Sequence, residues 1–162
     1  MKFDSPYPLV IVTPVYEDVE ASSRLFKELG TVFGKEVYVV AVDDGSVRQP
    51  VAVSSLAVAG VDGVVITLRR NVGHQRAIAI GLNYVADQLP EAQQVVVMDS
   101  DGEDIPLSIR ELIKPLESPD VDMVVAQRRS RVETLRFRVF YVVYRWIFKL
   151  FTGREIRFGN FM

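Results

Sequence analysis

The chain has 162 residues, of which 49% are hydrophobic and 25% are charged, and its formal net charge is −2. This length supports one well-buried core and excludes two domains of ordinary size. The chain contains no cysteine, which excludes a disulfide framework, a thiolate metal site and a cysteine nucleophile. No apolar run approaches the roughly 20 residues of a membrane span and no signal peptide opens the chain, so we expect a cytoplasmic location.

Apolar runs of strand length, rich in Val and Ile, alternate with segments of helical period. Strands are predicted at residues 9–13, 36–42, 63–68, 93–98 and 121–126. Helices are predicted at residues 21–33, 75–89 and 108–116, and residues 49–59 are left open as a short helix. We therefore predict an α/β fold, a doubly wound and mostly parallel sheet with its strands buried on both faces by helices in three layers.

Polar residues of the kind found in active sites follow each of the five predicted strands. In an open parallel sheet, ligands bind outside the carboxyl ends of the strands, so these residues would meet in one crevice. The chain has no G-x-G-x-x-G after its first strand and no G-x-x-x-x-G-K-[ST] anywhere. This argues against a dinucleotide dehydrogenase and a phosphate-loop enzyme, and it leaves a nucleotide-dependent enzyme of another kind.

The first two strands end in residues suited to a nucleoside. Pro14 and Tyr16 offer a rigid turn and an aromatic ring for a flat base, although the same pair also marks ordinary turns. Asp43 and Asp44 run into Gly45, and a carboxylate at this place can accept hydrogen bonds from ribose hydroxyls or a base N–H. An Asp-Gly turn with a helix cap is the alternative, and two adjacent aspartates favour the ligand.

The third strand leads into a helix through Asn71, Gly73 and His74. The free N–H groups of a first helical turn suit a phosphate, and Gly73 can take the left-handed backbone that a tight loop needs. His74, the only histidine in the chain, would be a base or a phosphate ligand, or it would brace the loop through a hydrogen bond.

Three carboxylates alternate along the segment after the fourth strand, at Asp99, Asp101 and Glu103. Such hard oxygen ligands around one small volume suit Mg²⁺ or Mn²⁺ bridging a diphosphate. An acidic loop at a helix entry is the alternative. A calcium loop is excluded because Asp104 and Arg110 stand where it needs Gly and Glu.

A phosphohydrolase with an aspartyl nucleophile stays open as a second enzyme class. Such an enzyme would also show D-x-D-G after an apolar strand, with Asp99 as the nucleophile. Its motif usually follows the first strand and continues with Thr, whereas here it follows the fourth and continues with Glu103.

The last part of the chain is basic and aromatic. Residues 127–162 carry nine Lys and Arg against two Glu, whereas residues 1–126 carry ten against nineteen acidic residues. On a helix, residues 134–151 would be apolar on nearly all sides except a stripe with Arg138, Arg145 and Lys149. This pattern predicts either a core helix or a helix in a membrane interface, with basic residues on anionic lipid.

In order, P-x-Y, D-D-G-S, R-N-x-G-H-Q, D-x-D and Arg128 resemble the motifs of family 2 glycosyltransferases of the GT-A fold. The likeness is greatest to the polyprenyl-phosphate branch, which includes dolichyl-phosphate mannose synthases and bacterial undecaprenyl-phosphate glucosyltransferases, and it covers nearly the whole chain. The resemblance implies an inverting transfer of a sugar from a UDP- or GDP-sugar with Mg²⁺ or Mn²⁺. The family's usual Tyr-Asn-Glu reads here as Tyr16, Glu17 and Asp18, and Glu103 replaces a Gln.

The resemblance implies a role for each matching position. Asp99, Asp101 and Glu103 would hold the metal and diphosphate, and Asp99 and Asp101 form the catalytic set with Arg128. The residues expected at the nucleotide are Pro14, Tyr16, Glu17, Asp18, Asp43, Asp44, Asn71, Gly73 and His74. Arg128 would bind the donor or the acceptor phosphate. Together, Arg128, Arg129 and Arg131 suit the acceptor phosphate, because guanidinium groups match its oxygens.

A polyprenyl phosphate is already an anionic nucleophile, so its attack mainly needs positioning and charge neutralisation. The expected partners are therefore a nucleotide-sugar, a lipid phosphate and an anionic membrane surface, with the protein peripheral at the inner face. A soluble or cell-envelope glycan acceptor stays open, as does a non-catalytic nucleotide-sugar-binding or membrane-docking module. We expect no nucleic-acid partner, leave a homo-oligomer open, and expect residues 1–162 to be one catalytic domain that is incomplete at its C-terminus.

Overall fold

The structure, a computed structural model, describes residues 7–89 and 94–126. Its strands are β1 (Leu9–Val15), β2 (Val37–Asp43), β3 (Asp62–Thr67) and β4 (Gln94–Val97). Its helices are α1 (Val19–Phe33), α2 (Val53–Ala59), α3 (His74–Gln88) and α4 (Ile109–Ile113). Three short 3₁₀ helices span Gly34–Glu36, Pro106–Ser108 and Lys114–Glu117. These elements belong to one compact unit, Met1–Val124.

The four strands form one parallel sheet in the order β3-β2-β1-β4. Strand β1 is central, since Leu9 pairs with Val37 of β2 on one side and with Gln94 of β4 on the other. The chain thus adds β2 and β3 in one direction and then returns to the other side of β1. The switch point lies between the carboxyl ends of β1 and β4, where open α/β sheets form their ligand crevice.

Helices cover both faces of the sheet, as the sequence predicts. Successive β1 residues enter different cores: Ile11 packs with Phe26 and Leu56 from α1 and α2, whereas Val12 packs with Ala77 from α3. Each fully buried side chain of this size contributes about 1.5–3 kcal/mol. The two cores therefore hold the sheet between two helical layers.

A glycine allows α3 to lie close to the sheet. A Cβ on Gly81 would stand 2.5 Å from Cγ1 of Val12 and 3.0 Å from Cγ2 of Val42. Because both valines are fully buried, neither has room to move away. The close approach fixes where the N-terminus of α3 meets the carboxyl ends of the strands.

Burial on both faces is confirmed for the two central strands and wrong for the outer two. Every residue of β1 and β2 is buried. Strand β3 is half-buried and exposed at both ends, and in β4 only Val96 is buried. In the described residues each outer strand has a single partner strand. A Val-rich sequence in such a strand does not show that both of its faces are buried.

The predicted fifth strand is wrong for the residues that the structure describes. Residues 121–126 contain no strand, and Met123 is 77% exposed. The run is short and is interrupted by Asp122, so it offers no continuous apolar face for packing. Composition alone does not distinguish an extended apolar segment from a strand that pairs with a sheet.

The predicted helix at residues 108–116 is divided into α4 and the 3₁₀ turn Lys114–Glu117. Pro115 explains the division, because it lacks the N–H that an α-helix would use at this position. The short helix left open at residues 49–59 is α2, which Gly60 ends with a left-handed φ of 73°. Across residues 7–89 and 94–126, no helix combines the length and hydropathy that a membrane crossing requires.

Candidate functional site

Four loops leave the carboxyl ends of the strands on the same edge of the sheet, because all four strands are parallel. They are residues 16–18 after β1, 44–52 after β2, 68–73 after β3 and 98–105 after β4. Hydrogen bonds join these loops to one another, as described below. The convergence that the sequence predicts is therefore present for the four described loops.

The loop after β1 places an aromatic ring at the crevice. Pro14 is buried at the end of the strand, and Tyr16 is 53% exposed. Asp18 is the N-cap of α1, where its Oδ1 accepts a hydrogen bond from the Ala21 N–H at 2.9 Å. A cap of this kind stabilises a helix by about 1 kcal/mol, so Asp18 has a structural role besides the predicted nucleotide contact.

Glu17 has an uncommon backbone, with a φ of 50°, and its side chain faces the neighbouring loop. Its carboxylate accepts hydrogen bonds from the N–H groups of Val47, Arg48 and Gln49. The Val47 N–H bond, helped by those of Arg48 and Gln49, lowers the pKa of Glu17 below its usual value. Its contact with a nucleotide stays a prediction, and both of its oxygens already bind the protein.

Asp43 is fully buried at the end of β2 and organises its own loop. Its Oδ1 accepts from the Ser46 N–H and its Oδ2 from the Val51 N–H, each at 2.9 Å. These bonds close the loop between β2 and α2 over the carboxylate. A carboxylate has further acceptor sites, so the predicted nucleotide contact stays a prediction beside this structural role.

Asp44 joins the β2 loop to the β3 loop. Its Oδ1 accepts from the Val72 N–H at 2.7 Å and its Oδ2 from the Gly73 N–H at 3.0 Å. Gly45 lies against the same loop, where a Cβ would stand 2.4 Å from the carbonyl carbon of Arg70. Its φ of 75° also favours glycine.

Ser46 completes the connections made by D-D-G-S. Its Oγ accepts a hydrogen bond from the Glu17 N–H at 2.8 Å, which joins the β2 loop to the β1 loop. Asp43, Asp44, Gly45 and Ser46 together thus tie three of the four loops. The alternative for this motif, an Asp-Gly turn with a helix cap, is not formed, because residues 44–46 make no regular turn and the N-cap of α2 is Ala52, without a side-chain hydrogen bond.

The loop after β3 brings a histidine towards β4. Gly73 has a φ of 94°, a backbone that favours glycine, and Asn71 is exposed beside it. His74 begins α3, and its Nε2 lies 3.4 Å from Oδ1 of Asp99. Helix α3 packs against β1 and β2 and not against β3 alone. His74, which follows β3 in the chain, is therefore carried across the sheet to the acidic loop that follows β4.

The loop after β4 keeps its carboxylates at the surface. Asp101, Glu103 and Asp104 are exposed, and Asp101 Oδ1 accepts from the Glu103 N–H at 2.9 Å. Buried Ser100 donates its hydroxyl hydrogen to the Pro14 carbonyl at 3.1 Å. This bond fixes the loop to the end of β1 across the switch point.

The predicted metal ligands are only partly assembled. In the ranges 7–89 and 94–126, no three His, Cys, Asp or Glu side chains come together as a metal site. Asp99 and Asp101 nevertheless stand two residues apart on an exposed loop and offer hard oxygen donors. Magnesium sites that use one or two carboxylates plus substrate phosphates have this composition, so these residues fit Mg²⁺ or Mn²⁺.

The predicted acceptor side lies outside the described residues. This concerns Arg128, Arg129 and Arg131 and the aromatic segment 134–151. Their roles stay predictions.

Sequence reasoning missed the roles of Glu17 and Ser46 in joining loops, and the pairing of His74 with Asp99. A side chain that accepts from backbone N–H groups about 30 residues away leaves no periodic pattern. The departure from Tyr-Asn-Glu at Glu17 is the one sequence feature that marks the position.

An open parallel α/β sheet binds its ligands in the crevice outside the carboxyl ends of the strands, at the switch point, where the polar loops of this chain meet. The family described as Glycosyl transferase family 2 matches residues 10–160. The chain therefore belongs to glycosyl transferase family 2, as its resemblance implies.

Several proteins of known name are similar to the chain. Undecaprenyl-phosphate 4-deoxy-4-formamido-L-arabinose transferase is 28% identical in Enterobacter sp. (strain 638), over 82% of this chain and 40% of that protein. The Sodalis glossinidius (strain morsitans) protein of the same name is 31% identical over 83% and 40%. Dodecaprenyl-phosphate galacturonate synthase of Rhizobium johnstonii is 24% identical over 80% and 38%.

The chain thus spans about two fifths of the length of these relatives. Among solved structures, the crystal structure of S. aureus TarS overlaps with a TM-score of 0.48 at 20% sequence identity. That overlap covers 72% of this chain and 20% of the TarS chain.

Proposed function

We propose that the chain is the donor-binding part of an inverting glycosyltransferase that moves a sugar from a nucleotide-sugar to a polyprenyl phosphate. One observation carries the proposal: Tyr16 and the exposed acidic loop lie on the two sides of the switch point, in a family 2 chain. The aromatic ring suits a base and the carboxylates suit a metal-bound diphosphate. The relatives named for undecaprenyl and dodecaprenyl phosphate support a lipid-phosphate acceptor.

The nucleotide of a UDP- or GDP-sugar would lie along the loops that D-D-G-S holds together. Tyr16 would stack on the base, and Asp43 and Asp44 would keep the surrounding backbone in place. The N-terminus of α3, after Gly73, would face the phosphates, since helix N-termini favour anions. This arrangement supports recognition of the donor before any contact with the acceptor.

Asp99 and Asp101, with Glu103 nearby, would hold Mg²⁺ or Mn²⁺ together with the donor diphosphate. When bound, the metal would supply positive charge that stabilises the diphosphate as a leaving group. His74 would position Asp99, because its Nε2 faces the Asp99 carboxylate at 3.4 Å. The acidic loop would therefore serve the departing side of the reaction.

In the proposed reaction, a phosphate oxygen of the lipid forms a bond to the anomeric carbon of the sugar. The bond from that carbon to the donor diphosphate breaks, and its electron pair leaves with the nucleoside diphosphate. Attack from the opposite side gives inversion at the anomeric carbon. Arg128, Arg129 and Arg131 would hold the lipid phosphate and offset its charge.

The proposed location is the cytoplasmic face of a membrane, where the basic segment 127–162 would meet anionic lipid. If the acceptor were a soluble or cell-envelope glycan, the donor site would be the same, and only the acceptor contacts and the membrane location would differ. Membership of family 2 favours transfer over the phosphohydrolase alternative for Asp99. A module that binds nucleotide-sugar or membrane without turnover would share the same crevice.

Calorimetric titration of the 162-residue chain with UDP and with GDP, with and without Mn²⁺, tests the proposal. We expect one nucleotide to bind with an affinity that Mn²⁺ raises at least about tenfold. Replacing Asp101 with Asn should remove this dependence on Mn²⁺. Absence of binding by either nucleotide to the folded chain would contradict the proposal.

A further inference from the structure

Glu17 makes a set of contacts that the proposed chemistry does not use. Its side chain is 13% exposed, although Tyr16 and Asp18 on either side are exposed. Its Oε1 accepts from the Val47 N–H at 2.8 Å, and its Oε2 accepts from the Gln49 N–H at 3.0 Å. The Arg48 N–H is shared between the two oxygens, at 3.2 and 3.1 Å.

Three successive backbone N–H groups that point to one place form an anion-binding concavity, which we call the amide cradle (Val47, Arg48 and Gln49). Here the anion is a side chain of the same protein. Glu17 is held through its backbone as well as its side chain, because its N–H donates to Ser46 Oγ at 2.8 Å. Glu17 of the β1 loop is therefore joined to four successive residues of the β2 loop, as acceptor from three and as donor to one.

The backbone of Glu17 is adapted to this contact. Its φ of 50° is positive, and it is the only non-glycine residue with a positive φ in the part of the chain that the structure describes. Such a conformation is unfavourable for a glutamate and persists where surrounding contacts enforce it. The turn directs the Glu17 side chain into the β2 loop while the neighbouring Tyr16 ring stays exposed.

We propose that Glu17 is a positioning residue that fixes the β2 loop and the Tyr16 ring for nucleotide binding, by filling the amide cradle with its carboxylate. This inference rests on the proposed function and changes the role expected for Glu17 from ligand contact to loop positioning. Nucleotide affinity then depends on Glu17 without any contact between Glu17 and the nucleotide.

Two substitutions separate the effect of the Glu17 carboxylate from the effect of its positive φ. Glu17→Gln keeps the shape but brings an amide NH₂ towards N–H donors, and Glu17→Gly removes the side chain while accepting a positive φ. Glu20→Gln is the matched control, because Glu20 is an exposed glutamate in the first turn of α1.

The first readout is amide hydrogen exchange of Val47, Arg48 and Gln49 in the chain without nucleotide. We expect exchange at least about tenfold faster in both Glu17 variants and unchanged in Glu20→Gln. The second readout is the dissociation constant of the nucleotide with Mn²⁺, far below the melting temperature. We expect it to rise about tenfold in both Glu17 variants, although their folded fraction stays complete.

Unchanged exchange in both Glu17 variants would overturn the proposal. Faster exchange with unchanged nucleotide affinity would also overturn it, because Glu17 would then shape the loop without positioning a binding site. Binding of neither nucleotide to the wild-type chain would refute the proposed function. In that case, faster exchange would still support the loop contact and unchanged exchange would still refute it.

Discussion

Two groups of carboxylates lie at the same edge of the sheet and have opposite surroundings. Asp43, Asp44 and Glu17 face inward and accept hydrogen bonds from seven backbone N–H groups in two loops. Asp101 and Glu103, in the loop after β4, are exposed. The inward group builds the crevice, and the exposed group remains accessible to a ligand.

This difference separates two roles that an acidic motif can have. A buried carboxylate such as Asp43 or Asp44, which accepts two N–H groups, stabilises the loop, because each hydrogen bond to a charged group contributes about 1.5–3 kcal/mol. An exposed carboxylate contributes little to stability and is accessible to a cation. Substitutions should therefore affect stability in the first group and metal-dependent binding in the second.

The largest expected effect comes from removing an inward carboxylate. Asp44→Ala leaves the N–H groups of Val72 and Gly73 without their acceptor, and we expect the free energy of unfolding to fall by about 3–5 kcal/mol. Asp101→Ala should change it by less than about 0.5 kcal/mol. Urea unfolding of both variants measures these changes. Equal losses of unfolding free energy would contradict the distinction between inward and exposed carboxylates.

A pair of glycines tests how closely the inward loops pack. Gly45 and Gly102 both have positive φ, of 75° and 85°. A Cβ on Gly45 would stand 2.4 Å from backbone of Arg70, whereas on Gly102 it would meet only the flexible end of Arg24, at 3.1 Å. We expect Gly45→Ala to cost about 3 kcal/mol and Gly102→Ala about 1 kcal/mol of stability. Thermal unfolding would contradict this account if Gly102→Ala were the more damaging change.

Thr13 provides the opposite case to Asp43, because it is a buried polar group without a partner. Its Oγ1 is the one buried side-chain oxygen or nitrogen in the described residues that makes no hydrogen bond. Thr13→Val replaces the hydroxyl with a methyl group of similar size, so we expect a gain of about 1 kcal/mol. The exposed Thr67→Val should stay within about 0.5 kcal/mol. A loss of stability in Thr13→Val would show that the hydroxyl is satisfied.

The smallest expected effect is the pH dependence of the Glu17 contact. The amide bonds from Val47, Arg48 and Gln49 lower the pKa of Glu17 below its ordinary value of 4.5. Its contribution to stability is therefore fully present above pH 4.5 and is lost as the pH falls through the lowered folded-state pKa. We expect the difference in free energy of unfolding between wild type and Glu17→Gln, measured with denaturant from pH 7 to 3, to narrow only below pH 4.5. A difference that stays constant over this range would contradict the charge-based contact.

The sequence predicts most of the fold, because hydrophobic periodicity records which residues enter the core. Strands β1 to β4 and helices α1 and α3 follow their apolar patterns. The predicted strand at residues 121–126 is wrong because a short apolar run does not show whether it pairs with a sheet. The inward turn of Glu17 was missed because it depends on a positive φ and on N–H groups distant in the chain.

Electron paramagnetic resonance of free Mn²⁺ tests most directly whether the exposed carboxylates hold a metal with the nucleotide. The titration uses wild type, Asp101→Asn and, as a control, Asp120→Asn, which alters an exposed aspartate in another turn. We predict that wild type and Asp120→Asn take up about one Mn²⁺ per chain when nucleotide is present, and that Asp101→Asn binds it at least tenfold more weakly. Equal Mn²⁺ affinity in wild type and Asp101→Asn would contradict the assignment of the acidic loop.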